Sequence, residues 1–158
     1  MKKIKYLIMD VDGTLTDGKI YISDTGELMK SFSVKDGYGI HDIAMSKGID
    51  PVILTSRKSN IVMNRCKELG ISKVYQGVKN KVSELSNISN DFDEMAYIGD
   101  DLNDLECMRI IKDAGGVVGC PKNAAQEVIK ISDFVSSYEG GDGAVREYIE
   151  WILENRNL

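Results

Sequence analysis

Short apolar runs alternate with amphipathic stretches along the chain. IKYLIM (4–9) is a short, mostly apolar run that stops at Asp10, the pattern of a buried strand. IYIS (20–23) and ELMKSFS (27–33) flank the polar, glycine-bearing DTG, which predicts a hairpin. DGYGIHDIAMSKG (36–48) reads as a helix stopped by Gly48. PVILTS (51–56) is a strand, and Pro51 suits its first position. Ser59 can cap a helix whose Val62, Cys66 and Leu69 share one face, with Gly70 as its stop. KVYQG (73–77), EMAYIG (94–99), GGVVG (115–119) and DFVS (133–136) follow as strands, separated by helices at 80–88, 102–112 and 123–130. Val145, Tyr148, Ile149 and Ile152 give the last helix an apolar stripe.

This alternation predicts an α/β fold, a doubly wound and mainly parallel sheet with the hairpin as a small insert. No repeat, low-complexity tract or internal linker interrupts residues 1–158, so a single domain is expected. GGDG (140–143) is the one flexible junction, and a mobile C-terminal tail and helix are expected from about residue 138. Its glycines serve either movement or a close backbone approach.

In open α/β sheets, ligands bind beyond the carboxyl ends of the strands. Four predicted strands end there in reactive groups. The first ends in Asp10 and Asp12, the second in Thr55 and Ser56. The third leads to Lys81, and the fourth to Asp100, Asp101 and Asp104. One Asp-x-Asp is weak evidence, because Asp is common in turns. Acid, hydroxyl, ammonium and acid on successive strand ends point to phosphoryl transfer. Clustered carboxylates call for a hard cation, and Mg2+ takes one or two carboxylates together with a substrate phosphate. A carboxylate facing phosphorus can attack it, and a second acid can protonate the leaving oxygen and later deprotonate water. A Thr hydroxyl and a Lys ammonium would hold the phosphoryl oxygens, and Gly13 lets backbone N–H groups approach them.

Composition narrows the field further. Apolar content of 42% and charged content of 28% over 158 residues fit one water-soluble domain with a real core. No apolar run approaches the roughly 20 residues that span a bilayer. The N-terminal MKKIKYLIMDVDG lacks a small-residue cleavage site, which argues against a signal peptide. Cys66, Cys107 and Cys120 form no CxxC pair and read as free thiols of a reducing cytoplasm. A net charge of −5 argues against a nucleic-acid partner but not against a phosphorylated substrate held by a metal.

DVDGTLT, ILTSR, the lysine of KNK and YIGDDLND resemble, in order, the four motifs of the haloacid dehalogenase (HAD) superfamily of phosphatases. The resemblance implies Asp10 as nucleophile and metal ligand, and Asp12 as general acid/base with its backbone carbonyl on Mg2+. It implies Thr55, Ser56, Gly13 and Lys81 as the phosphate site and Asp100 as a further metal ligand. Asp101 and Asp104 would support that shell, orient Lys81, or simply cap the helix from 102, where negative charge is favoured. LTSRKSNIVMNRCKELGISKVYQG and GGDGAVRE further resemble the 3-deoxy-D-manno-octulosonate 8-phosphate (KDO 8-phosphate) phosphatase subfamily. That subfamily usually reads LTGR, so Ser56 stands here in place of a glycine. Related enzymes act on nine-carbon 2-keto-3-deoxynononate or N-acylneuraminate 9-phosphates.

Spacing adds that residues 13–54 hold only a hairpin and one helix, and 56–80 one helix and one strand. Neither insert can fold as a cap domain. An open site then needs association to enclose its substrate, and the subfamily resemblance implies a homotetramer built through hairpins, with tails reaching a neighbour's site. Arg57, Lys58 and Arg65 fit either a solvated face or contacts to a substrate anion. Arg146 fits either a pair with Glu147 or Glu150 or a clamp on the substrate carboxylate. His41 reads as a helix-surface or core residue. A receiver-type signalling domain also combines acids, Thr and Lys, but lacks the D-x-D-G-T-x-T pattern. A non-catalytic scaffold would not need the full reactive set.

Overall fold

The computed structural model describes residues 3–155; Met1, Lys2 and 156–158, part of the expected 1–158 domain, lie outside the described residues. The strands are β1 (Tyr6–Met9), β2 (Tyr21–Ser23), β3 (Gly26–Met29), β4 (Asp50–Leu54), β5 (Lys73–Tyr75), β6 (Met95–Ile98), β7 (Val117–Cys120) and β8 (Phe134–Val135). The helices are α1 (Val34–Tyr38), α2 (Asn60–Glu68), α3 (Lys81–Ile88), α4 (Leu105–Asp113), α5 (Gln126–Ile131) and α6 (Ala144–Asn155). Six strands pair in the order β5-β4-β1-β6-β7-β8, every pair parallel, while β2 and β3 form a separate antiparallel hairpin.

The period of two in β1 sorts its side chains onto two cores. Leu7 and Met9 join Ile53, Ile98 and the residues of α2 and α6, including Val62, Cys66, Tyr148, Ile149 and Ile152. Ile8 joins Val52, Leu54, Tyr97 and the buried faces of α3, α4 and α5. The sheet is therefore covered on both sides, which is why its inner strands read as unbroken apolar runs. Register then does the positioning. Met9 lies between Ile53 of β4 and Ile98 of β6, so Asp10, Thr55 and Asp100 leave the sheet at the same edge.

Most elements end within a few residues of the sequence expectation, and three of the differences have a visible cause or bear on the site. The strand expected over 27–33 stops at Met29, because Lys30 turns inward to Asp12 and Ser33 already caps α1. The expected helix over 36–48 begins at Val34 and widens into a π-turn over Gly39–Ala44 before its stop at Gly48. That turn opens where Gly39 meets α6: a Cβ there would lie 2.9 Å from Arg146 Cδ. The expected helix over 102–112 opens with a 3-10 turn, Leu102–Asp104. Cys66, Cys107 and Cys120 are free and buried, and no helix among the described residues is long and apolar enough to cross a membrane.

Candidate active site

β1 delivers Asp10 to the central edge of the sheet, 5% exposed, with its N–H still donating to Ile98 O across 3.1 Å. The chain then curls tightly. The N–H groups of Thr14, Leu15 and Thr16 all donate to Val11 O, at 3.2, 2.9 and 3.1 Å. Gly13 takes φ 93° in this turn, and a Cβ there would sit 2.1 Å from Asp100 Oδ2. Only glycine serves, both for the backbone angle and for the space. Thr14 Oγ1 donates to Asp100 Oδ1 at 3.2 Å, tying the turn to the end of β6.

Lys81 opens α3, which Asn80 caps through the N–H groups of Val82 and Ser83. Its buried ammonium donates to Asp10 Oδ1 at 2.8 Å and to Asp104 Oδ1 at 2.7 Å. Burial opposes the Lys81 charge, but Asp10 and Asp104 outweigh it and hold the ammonium above its usual range. Asp104 is fully engaged. It also accepts from Tyr97 Oη at 2.7 Å and from the N–H groups of Asp100 and Asp101 at 3.1 and 3.3 Å. Asp104 thus orients Lys81 and fixes the loop, while Asp101 caps the 3-10 turn through Leu102 N–H.

Oxygens of Asp10, Asp100 and Asp104 lie within 4.8 Å of one another. Burial raises the Asp10 carboxyl well above its usual range, Asp104 adds to the effect, and Lys81 only partly opposes it. Burial, then Asp104, pushes Asp100 up to about 6. Three carboxylates face one ammonium, so the cluster carries uncompensated negative charge. With the Asp104 oxygens committed to N–H and O–H donors, Asp10 and Asp100 remain as the pair able to hold a hard cation. That donor set fits Mg2+, which takes few protein carboxylates.

Asp12 stands at the mouth of the site. Lys30 Nζ donates to its Oδ1 at 2.5 Å, and Arg57 Nε lies 3.9 Å from its Oδ2. Lys30 is nearly buried and also pairs with Glu27 at 3.0 Å, and Glu27 in turn accepts from the Ser59 hydroxyl that caps α2. Asp10, Asp12, Thr55, Ser56, Arg57, Asp101 and Asn103 line an open cleft of about 140 Å3. Lys30 and Asn103 were not legible as site residues. Asn103 sits inside GDDLND and its position beside Asp104 could have marked it, but Lys30 lies in a stretch whose pattern signals only a strand.

The remaining cations lie elsewhere in the chain. Lys58 is exposed and does not line the cleft. Arg65 pairs with Glu68 at 2.8 Å and spreads over the Phe32 ring. Arg146 Nε pairs with Glu150 at 2.5 Å, its guanidinium over Tyr38, in a groove of about 340 Å3 with Lys35 and Tyr138. His41 Nδ1 contacts Leu69 O at 3.0 Å on the surface.

No family model matches the chain. Curated relatives do. The 3-deoxy-D-manno-octulosonate 8-phosphate phosphatase KdsC of Escherichia coli K12 is 39% identical over 156 residues, 96% of this chain and 80% of the relative. The Yersinia pestis enzyme of the same name is 37% identical over 154 residues, 95% of this chain and 80% of the relative. Among solved structures, the Moraxella catarrhalis 3-deoxy-D-manno-octulosonate 8-phosphate phosphatase, in complex with magnesium ion, phosphate ion and KDO, superposes with a TM-score of 0.88 at 39% identity. It covers 96% of this chain and 86% of its own. A HAD-superfamily subfamily III A hydrolase from Legionella pneumophila, described as putative in its structure report, gives 0.86 at 40% identity, over 97% and 84% of the two chains. Ordered motifs, parallel sheet and similarity over most of both chains agree: this chain belongs to the KDO 8-phosphate phosphatase family of the HAD superfamily.

Proposed function

We propose that the protein is a Mg2+-dependent phosphomonoesterase that hydrolyses KDO 8-phosphate through an aspartyl-phosphate. One observation carries the reading: Lys81 bridges Asp10 and Asp104 beside Asp100, at the foot of a cleft lined by Asp12 and Thr55. The eight-carbon substrate is preferred over a nine-carbon one because the relatives are KDO 8-phosphate phosphatases and one solved relative holds KDO.

The residues divide the work as follows. One Asp10 oxygen is held by Lys81, which leaves the other to attack phosphorus. As the bond from phosphorus to the sugar oxygen breaks, Asp12 gives that oxygen a proton. Asp12 then takes a proton from a water that attacks the phosphorylated Asp10, releasing phosphate and restoring the carboxylate. Thr55, Lys81, Ser56 and the backbone at Gly13 bind the phosphoryl oxygens throughout. Asp10, Asp100 and the Asp12 carbonyl would hold Mg2+, which when bound neutralises charge on the phosphoryl group.

Assembly completes the reading. Ile20, Ile22, Leu28 and Met29 leave the hairpin with an exposed apolar surface, which supports a homotetramer built through hairpins. Arg57 lies in the cleft and the exposed Lys58 follows it, whereas Arg65 and Arg146 line other grooves and would reach substrate across such an interface. Three buried free thiols support a cytoplasmic setting.

The test is phosphate release from KDO 8-phosphate and from the nine-carbon 9-phosphates, side by side with Mg2+. A kcat/KM at least about tenfold higher for KDO 8-phosphate is expected, the scale of a pocket that reads one chain-length difference. Equal or reversed preference would reassign the substrate. No release from any sugar acid phosphate would end the phosphatase reading.

A further inference from the structure

α6 begins without a cap of its own. The residue before it, Gly143, has no side chain and sits at φ 110°. The first N–H groups of a helix need an acceptor, and a Ser, Thr, Asp or Asn at the cap usually supplies one. Here the acceptor comes from α1. Asp36, 1% exposed, takes the Arg146 N–H on its Oδ1 at 2.9 Å, while its buried Oδ2 has no hydrogen-bond partner among the described residues. Gly39 allows the approach: a Cβ there would lie 2.9 Å from Arg146 Cδ and 3.3 Å from Arg146 Cα.

The segment that α6 anchors runs straight over the nucleophile loop. Gly141 N–H donates to Thr14 O at 3.0 Å. A Cβ on Gly140 would lie 1.9 Å from Gly13 O, and one on Gly141 2.6 Å from Thr16 C. These glycines therefore allow backbone to lie against backbone. Thr14, held from above by this strap, is the residue whose hydroxyl contacts Asp100. The strap has three glycines and an exposed Asp142, hence little side-chain surface with which to anchor itself. Its place depends on its ends. One end is fixed by Lys122 N–H to Tyr138 O at 2.9 Å and by Gly140 N–H to Asn123 Oδ1 at 3.1 Å. The other end is fixed by the start of α6.

We propose that Asp36 is a positioning residue for the reaction: by capping α6 it seats the Gly140–Gly141 strap on residues 13–16 and so holds the nucleophile loop against Asp100. The proposal rests on the phosphatase reading for its kinetic consequence only; its structural half is measured without substrate.

The experiment compares Asp36→Ala, Asp36→Asn and Ile152→Val in the full chain with Mg2+. Ile152→Val weakens the core under the same helix without touching the cap. Hydrogen exchange is followed at 140–146 and at 14–16, together with kcat and KM for KDO 8-phosphate. Asp36→Ala is expected to speed exchange at both segments and to lower kcat about tenfold with KM little changed, the signature of displaced catalytic geometry. Asp36→Asn, which keeps an acceptor for the Arg146 N–H, should restore most of both. Ile152→Val should lower Tm yet leave exchange at 14–16 and kcat near wild type. If Asp36→Ala does not fold, Gly141→Ala replaces it. That change leaves the cap intact and pushes the strap off the loop, so kcat should fall while α6 stays protected. The proposal is overturned if Asp36→Ala leaves exchange at 14–16 unchanged, if Asp36→Asn loses as much as Asp36→Ala, or if Ile152→Val reproduces the effect. Wild-type kcat in Gly141→Ala would overturn it too. A wild-type protein inactive on KDO 8-phosphate overturns the functional reading instead, and leaves the exchange result to decide the positioning role.

Discussion

Lys81 is the cation on which the buried cluster depends. It is the one ammonium between Asp10 and Asp104, and removing one partner of a buried ion pair costs about 3–5 kcal/mol because the other charge is left uncompensated. Lys81→Met should therefore lower Tm by several degrees as well as abolish turnover, as thermal melts and phosphate release would record. Asp10→Asn should behave differently. It removes a charge from a crowded acidic cluster, so the fold persists, while loss of the nucleophile raises the barrier by at least about 4 kcal/mol, roughly a thousandfold in rate. A folded Asp10→Asn protein keeping a tenth of wild-type kcat would exclude the covalent mechanism. Asp100 adds a pH dependence. Burial and Asp104 hold it at about 6, above the usual carboxylate value, so between pH 4 and 6 the metal-free folded state binds a proton that the unfolded chain gives up. Through this group the metal-free protein gains stability as pH falls from 7 to 4, and the penalty is complete at pH 7. Mg2+ competes with that proton. The rise in Tm that Mg2+ produces should thus be largest near pH 7 and shrink below pH 6; a gap constant from pH 7 to 5 would show that Asp100 does not titrate there.

The hairpin shows at the scale of an element why some of the site was legible and some was not. β1, β4 and β6 are apolar runs with reactive residues at their ends, so chain order alone places Asp10, Thr55 and Asp100 at one sheet edge. Lys30 carries no such mark. It follows a short, exposed strand on a separate sheet, and only the fold turns it in to meet Asp12 and Glu27. The GGDG glycines were ambiguous for the same kind of reason: flexibility and close approach look alike in sequence, and the contacts on Gly13 and Thr16 favour approach. The hairpin's anchoring gives a prediction. Lys30→Met removes the ammonium shared by Glu27 and Asp12, leaving Arg57, 3.9 Å from Asp12, as the nearby cation, and it frees β3 from the first motif loop while Glu27 still holds the Ser59 hydroxyl. Turnover of KDO 8-phosphate should fall at least about tenfold, with the larger part in kcat because Asp12 loses its orientation. Unchanged kcat would show that Asp12 needs no such support.

At the scale of the whole molecule, the open cleft and the exposed hairpin pose one problem. A cleft without a cap leaves the sugar acid half of a substrate in water, and Ile22 and Leu28, 65% and 63% exposed, have no neighbour among the described residues to cover them. Burying each would contribute roughly 1.5–3 kcal/mol, enough across several copies to hold an assembly together. Both are on the hairpin that Lys30 ties to Asp12, so association through it would also bear on Asp12. Leu28→Lys combined with Ile22→Lys should therefore yield monomers in light scattering, because like charges replace the apolar contact on every copy. The monomer keeps Asp10, Lys81 and Asp100, so p-nitrophenyl phosphate, whose leaving group needs little protonation and no carboxylate clamp, should still be turned over. KDO 8-phosphate should suffer more, chiefly in KM, if Arg146 of a neighbouring copy holds the remote carboxylate as proposed. Equal losses on both substrates would place the assembly's role in general stability. A monomeric variant with wild-type KM for KDO 8-phosphate would show that one chain binds the whole substrate without a neighbour's cations.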